Sequence, residues 1–321
     1  MSVNYALGID IGGTTTVGAV VSRDGRIAAR KEIPTDSRKG IDDGLKRLAK
    51  LVSGLLKAVE ITSANIAGIG IGATAPVDAV HGRIENPYTL PGWESIPIVS
   101  ALHERFSVPV CLLGDCQIAA LGEAWMGAGQ TARNMLYLTV GTGIGGAFLF
   151  NGRLYRGLGD ASEVGHHVID LNGPECYCGG HGCFEILASG PAIARLAAEA
   201  PAESHLLALA DGDRSRLDAR LVVRAAEAGD AFAQGLVTRV GTYFGHGIAN
   251  CINMLAPDHV VLGGGVMLGW AAFAPSALAI VEQRCKVVPG DQVKIAPARL
   301  GLNAGVTGAA RAIWMHLAGE L

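Results

Sequence analysis

The chain is short of charge, of lysine and of aromatic rings. Of its 321 residues, 17% are charged and 5% aromatic. Nineteen arginines stand beside only seven lysines, and the formal net charge is -3. No basic tail or polybasic patch results, so neither nucleic acid nor an anionic membrane surface is expected as a partner. A long unbroken apolar run is also missing. The longest uncharged stretch, 260–281, is interrupted by Gly263, Gly264, Gly265, Gly269 and Pro275, so no membrane span is expected. The start, MSVNYALGID, lacks the basic segment and apolar run of a secretory leader. Absent too is the G-x-x-x-x-G-K-[ST] sequence of P-loop enzymes. With lysine scarce, bound phosphate would be neutralised by metal and backbone donors.

Apolar residues make up 50% of the chain, enough for a sizeable core, and the length suits roughly two domains. Glycine is abundant at 45 residues, about twice the usual level. The glycines cluster beside apolar runs, as in tight turns near a ligand. Seven cysteines are an odd number, and three fall within eight residues. This favours a metal cluster in a reducing compartment, the cytoplasm, over a disulfide framework.

The pattern strand, glycine turn, strand, helix occurs twice. The first copy has strands at 5–10 and 16–21 and a helix over 41–60. The second has strands at 135–140 and 147–150. This repetition predicts two related α/β domains with a ligand site between them. Further strands are expected at 66–73, 109–113, 259–262 and 293–296. Helices are expected at 98–106, 118–126, 184–200, 219–255, 271–283 and 305–317. A cysteine- and glycine-rich insertion spans about 159–185.

Asp10 precedes the first turn, Gly12-Gly13-Thr14-Thr15. The second turn contains Gly141, Thr142 and Gly143. Glycine amides and threonine hydroxyls are phosphate donors, and Asp10 could hold Mg²⁺. Gly141-x-Gly143-x-x-Gly146 formally matches a dinucleotide fingerprint, but that motif opens a helix and here a strand follows. Asp115 follows a strand and precedes a helix. It suits either a general base or a helix N-cap. His166, Cys176, Cys178 and Cys183 have the composition of a closed, structural Zn²⁺ site. His167 and His181 are the competing imidazoles. Glu163 and Glu185 flank this cluster and suit either sugar hydroxyls or solvent.

Read in order, these motifs resemble those of the ROK family (repressors, open reading frames and sugar kinases), in its glucokinase-like branch of sugar kinases. The resemblance runs through Asp10–Thr14, Asp115 with Ala119–Glu123, Gly141–Gly146, Glu163-x-Gly165-His166, Cys176–Glu185, Gly263-Gly264-Gly265 and Leu300–Ala310. It implies two actin-like (ribonuclease H-like) α/β domains flanking a cleft. The smaller would comprise 1–116 with about 303–321, and the larger 117–302. It implies ATP-dependent phosphorylation of a sugar hydroxyl, by default the 6-hydroxyl of glucose, with Asp115 as base. Asp10, Gly12, Gly13, Thr14, Thr15, Gly141, Thr142, Gly143 and Gly263–Gly265 would hold ATP with Mg²⁺. Gly72, Gly114, Asp115, Glu163, His166 and Glu185 would line the sugar site, with His166 also on zinc. A homodimer is implied as well. Two departures stand on the sugar side: Gly114 and Thr89 occupy positions where the family usually has Asn.

Overall fold

Tyr5–Ile11 (β1) and Thr15–Ser22 (β2) form an antiparallel hairpin around the first glycine turn, pairing Tyr5 with Ser22 and Ile11 with Thr16. The computed structural model describes residues 4–158 and 162–321. The start of the cysteine-rich insertion, at 159–161, lies outside the described residues. Ile27–Pro34 (β3) extends the hairpin. Its charged run Arg30-Lys31-Glu32 suits an edge strand, and it has no apolar alternation strong enough to be seen in sequence. The amphipathic helix Ile41–Ala58 (α1) buries Leu48, Leu51, Val52, Leu55 and Leu56. Asp42 and Asp43 in its first turn and Lys57 in its last complement the helix dipole. Ile66–Ala73 (β4) pairs in parallel with β1. A two-residue hairpin, Val77–Asp78 (β5) with Arg83–Ile84 (β6), and Ile98–Phe106 (α2) lead to Val110–Gly114 (β7), parallel to β4. Asp115–Met126 (α3) follows without a gap. The sheet order is β3-β2-β1-β4-β7.

The second sheet repeats this order. It contains Met135–Val140 (β8), Ile144–Phe150 (β9), Arg153–Tyr155 (β10), His259–Gly263 (β11) and Lys294–Pro297 (β12), arranged β10-β9-β8-β11-β12. Numbered along the chain, each sheet reads third, second, first, fourth, fifth. The duplicated glycine-turn pattern is therefore a duplicated topology, an actin-type α/β arrangement. Between β10 and β11 lie Phe184–Ala188 (α4), Gly190–Ala197 (α5), His205–Leu209 (α6), Ala219–Glu227 (α7) and Ala231–Leu255 (α8). The helical run expected over 219–255 is interrupted at Asp230, whose carboxylate caps α8 through the Ala233 amide at 2.8 Å.

Trp270–Arg284 (α9) packs along α8 and buries Trp270, Phe273, Ala277 and Val281. Counted from Val266, this run is long and apolar enough to cross a membrane by length and composition. Its buried face and Pro275 read as those of a helix packed on α8.

Contacts divide the described residues into two units. One takes those of Met1–Met135, Ala147–Ala161 and Ala298–Leu321, the other Leu136–Gly146 and Ser162–Pro297. The boundary expected at 116/117 falls inside α3, which stays whole in the first unit. The reason is its packing against Ala304–Leu317 (α10). That packing is unusually close. A Cβ on Gly308 would lie 1.5 Å from the Ile118 carbonyl oxygen. On its other side α10 lies on the sheet. A Cβ on Gly8 would come within 2.0 Å of the Val306 carbonyl, and one on Gly70 within 1.7 Å of the Ala309 carbonyl. These neighbours are backbone, so no rotamer change relieves the overlap.

Gly70→Ala is expected to destabilise the first unit by about 3 kcal/mol or more, read as a lower midpoint in urea. Gly54→Ala, on a half-buried face of α1 with only Lys31 Nζ nearby at 3.9 Å, should be neutral or stabilising by up to about 1 kcal/mol.

Candidate active site and metal centre

In the first unit, the site residues stand at the C-terminal ends of parallel strands, where open α/β sheets present their chemistry. Asp10 on β1 pairs with Gly72 on β4, and Ala73 pairs with Gly114 on β7. Asp115 is the first residue of α3, three residues earlier than the sequence pattern places the helix start, with Gly114 as N-cap. Asp115 Oδ1 accepts from the Cys116 amide at 2.7 Å. Burial, and secondarily the charge of Asp115, push the Asp10 carboxyl up to about 7. Gly305, in the first turn of α10, presses on it: a Cβ there would lie 2.0 Å from Asp10 Oδ2. The space beside Gly72 is taken by Ile118, whose Cδ1 would be 1.9 Å from a Cβ. The glycine at 72 is thus accounted for by helix packing, and only its backbone is available to a ligand.

The Gly12–Thr15 turn is braced from behind. The Gly12 amide donates to Thr15 O at 3.0 Å, and the Thr35 hydroxyl donates to Gly12 O at 2.7 Å. Thr16 and Thr35 share a buried hydroxyl contact at 2.9 Å. Beside this turn lies Thr89, whose carbonyl oxygen would sit 3.1 Å from a Cβ on Gly13. Sequence reasoning missed the residue that organises this edge. Asn86 is 1% exposed. Its amide nitrogen donates to Thr74 O at 3.0 Å, Ala75 O at 2.7 Å and Thr89 Oγ1 at 2.5 Å. Its carbonyl oxygen accepts from the Tyr88 and Thr89 amides, both at 3.0 Å. The Thr89 hydroxyl is therefore held by Asn86 and by Thr74 Oγ1 at 3.1 Å. Glu123 is a second hub without a spacing signal of its own. It is fully buried and accepts from the amides of Ala128, Arg299 and Leu300 at 2.7–3.0 Å.

In the second unit, Gly141–Gly143 follows β8, and Gly263–Gly265 ends the adjacent strand β11. The two loops touch: a Cβ on Gly264, whose φ is +89°, would lie 2.2 Å from Val140 O. Gly141 and Gly265 instead face open space. The Gly190 amide, at the start of α5, donates to Gly141 O at 2.8 Å. Glu185 Oε2 accepts from the Ile144 amide at 2.7 Å, which fastens the second glycine turn to α4. No helix follows this turn. β9 starts at Ile144, which removes the dinucleotide fingerprint from consideration.

Glu163 immediately precedes the short turn Val164–His166. One ring nitrogen of His166 and the sulfurs of Cys176, Cys178 and Cys183 all lie within 4.8 Å of one another. Cys178 and Cys183 sulfurs are 3.6 Å apart, and Cys176 Sγ is 3.7 Å from His166 Nδ1. A tetrahedral zinc with ordinary Zn–S and Zn–N bonds has edges of about 3.8 and about 3.6 Å. The donor set therefore fits that ion. His166 supplies the imidazole. Its neighbour His167 packs on Phe184, with Nε2 buried and unpartnered. His181 lies in the bridge with Glu175.

A family model described as ROK family matches residues 6–316. The chain belongs to the ROK family. A glucokinase of Halalkalibacterium halodurans is 37% identical over 318 residues, covering 96% of this chain and 94% of that protein. An N-acetylmannosamine kinase of Escherichia fergusonii is 33% identical over 306 residues, covering 95% and 96%. The crystal structure of a ROK hexokinase from Thermus thermophilus superposes with a TM-score of 0.85 at 32% identity, covering 98% and 99% of the two chains. Within the ROK family the chain is a sugar kinase of the glucokinase-like branch.

The raised Asp10 pKa has a consequence for stability. The folded state holds this proton more tightly than the unfolded chain, so the stability it contributes is full below about pH 4 and falls until about pH 7. Asp10→Asn should therefore raise the thermal midpoint at pH 8 without Mg²⁺ and leave it nearly unchanged at pH 4. Thermal melts at the two pH values, in chelator, check this.

Proposed function

We propose that this ROK kinase transfers the γ-phosphoryl group of ATP to a hexose, with the 6-hydroxyl of glucose as acceptor. The observation that carries the proposal is Asp115 on the first turn of α3, close enough to Asp10 for the two carboxylates to interact. Asp115 accepts the proton of the attacking hydroxyl as its oxygen bonds to the γ-phosphorus. The bond from that phosphorus to the bridging oxygen breaks, and ADP leaves. The backbone amides of Gly12–Thr15, Gly141–Gly143 and Gly263–Gly265 bind the nucleotide. Asp10 is the oxygen ligand on the Mg²⁺ side, and that ion neutralises phosphate charge when bound. Glu163, His166 and Glu185 orient the sugar, with the backbone at Gly72 and Gly114 on the acceptor side. Zinc on His166, Cys176, Cys178 and Cys183 is structural. We assign the enzyme to the cytoplasm, as a homodimer.

A second reading, a kinase for another hexose, an amino sugar or a cyclitol, is favoured by two positions. Gly114 has no side chain to offer a hydroxyl, and the Thr89 hydroxyl is engaged by Asn86 and Thr74. A hydrogen bond missing from a buried sugar hydroxyl costs about 1–3 kcal/mol. The N-acetylmannosamine kinase relative shows that such substrate changes occur at this level of identity.

The test is ADP release with Mg·ATP and a panel of glucose, mannose, allose, fructose, glucosamine, N-acetylglucosamine, N-acetylmannosamine and a cyclitol. Glucose should give the highest kcat/KM. A wide margin for another compound moves the assignment to that compound. Asp115→Asn should lower kcat by about 10²- to 10⁴-fold with little change in sugar affinity; a smaller loss removes Asp115 from the role of base. Elemental analysis should find one zinc per chain, and less in Cys178→Ser. Full zinc occupancy in that variant would exclude Cys178 as a ligand.

A further inference from the structure

One side chain near the metal centre has no part in the scheme above. Tyr177 lies between two of the cluster cysteines, at the tip of the turn closed by the Gly179 amide donating to Cys176 O at 2.9 Å. Its hydroxyl oxygen is 3.0 Å from His166 Nε2, and the two rings meet edge to face at 5.0 Å.

The proton pattern of this contact is fixed by its neighbours. His166 Nδ1 points at the cysteine sulfurs, so with metal on Nδ1 the ring proton sits on Nε2. Nε2–H then donates to the phenol oxygen. A sugar hydroxyl bound by His166 would accept the same hydrogen bond from Nε2. Tyr177 is nonetheless 80% exposed. Its ring can rotate into solvent and leave no cavity behind.

We propose that the Tyr177 hydroxyl is an internal stand-in for a sugar hydroxyl. It occupies the hydrogen-bonding position at His166 Nε2 when the site is empty and is displaced by the acceptor, which makes Tyr177 a determinant of acceptor affinity. This rests on the assignment of His166 and Glu185 to the sugar. Because the phenol competes with the acceptor, its removal strengthens binding, whereas removal of a residue that contacts bound sugar weakens it.

The test compares wild type with Tyr177→Phe and Tyr177→Ala by calorimetric titration with glucose in the absence of nucleotide, with zinc content measured on each sample. Both variants should keep zinc and bind glucose about three- to tenfold more tightly, the equivalent of one net hydrogen bond released. In turnover, the KM for glucose should fall to match while the KM for ATP stays constant. Unchanged or weaker glucose binding by zinc-replete Tyr177→Phe overturns the displacement and leaves the kinase assignment standing. If neither wild type nor variant binds glucose or N-acetylmannosamine, the sugar assignment of His166 and Glu185 falls, and the displacement with it.

Discussion

The backbone of α10 lies directly on β1, β4 and α3, and the position of the acidic pair follows from that contact. Side chains at Gly8, Gly70 or Gly308 would hold the helix away by more than an ångström, because each would meet a carbonyl group of a neighbouring element. With the helix seated, Gly305 in its first turn reaches the Asp10 carboxylate, and Ile118 fills the space beside Gly72. Glu123 completes the arrangement by accepting the amides of Arg299 and Leu300, just ahead of α10. A buried carboxylate satisfied by backbone donors is strongly tied to one geometry. Fold stability and the placement of Asp10 and Asp115 are thus one problem in packing.

The second unit solves a similar problem with metal-binding chemistry. Its insertion is rich in glycine and has little core of its own. The His166, Cys176, Cys178 and Cys183 donors bring together segments that would otherwise be loops. Glu185 lies two residues beyond Cys183 and holds the amide of Ile144 at the end of the second glycine turn. Cluster, Glu185 and the second glycine turn are therefore mechanically continuous within this unit. Loss of metal would be felt at the glycine turn as well as at His166.

Much of this was legible in the sequence because the chemistry concerned tolerates few residue types. Thiolates and imidazole at H-x₉-C-x-C-x₄-C spacing carry a signal by themselves, and the two glycine turns do so as a pair; an acid between a strand and a helix suits an N-cap as well as a base, and Asp115 gained its reading only from the set of motifs in order. The repeated strand, glycine turn, strand pattern foretold the repeated sheet order. Other features had no such signal. β3 is an edge strand, so its exposed Arg30, Lys31 and Glu32 erase the apolar alternation. Asn86 sits in a proline-rich loop, and its six backbone and side-chain contacts appear only once 74–75 and 88–89 are brought together. Glu123 was visible as part of a motif, but two of its partners, Arg299 and Leu300, are 176 and 177 residues away. Tyr177 is hidden in plain view between two cysteines, since spacing arguments treat that position as a spacer.

Phosphoryl transfer to a hexose oxygen, with Asp115 as base, is the reaction proposed for this chain. Phosphorus NMR of a reaction containing glucose, Mg·ATP and the zinc-replete enzyme tests it most directly. ADP and a sugar 6-phosphate monoester should form in equal amounts, with no reaction in Asp115→Asn on the same timescale. ADP with inorganic phosphate, formed at the same rate with and without any sugar of the panel, would contradict it.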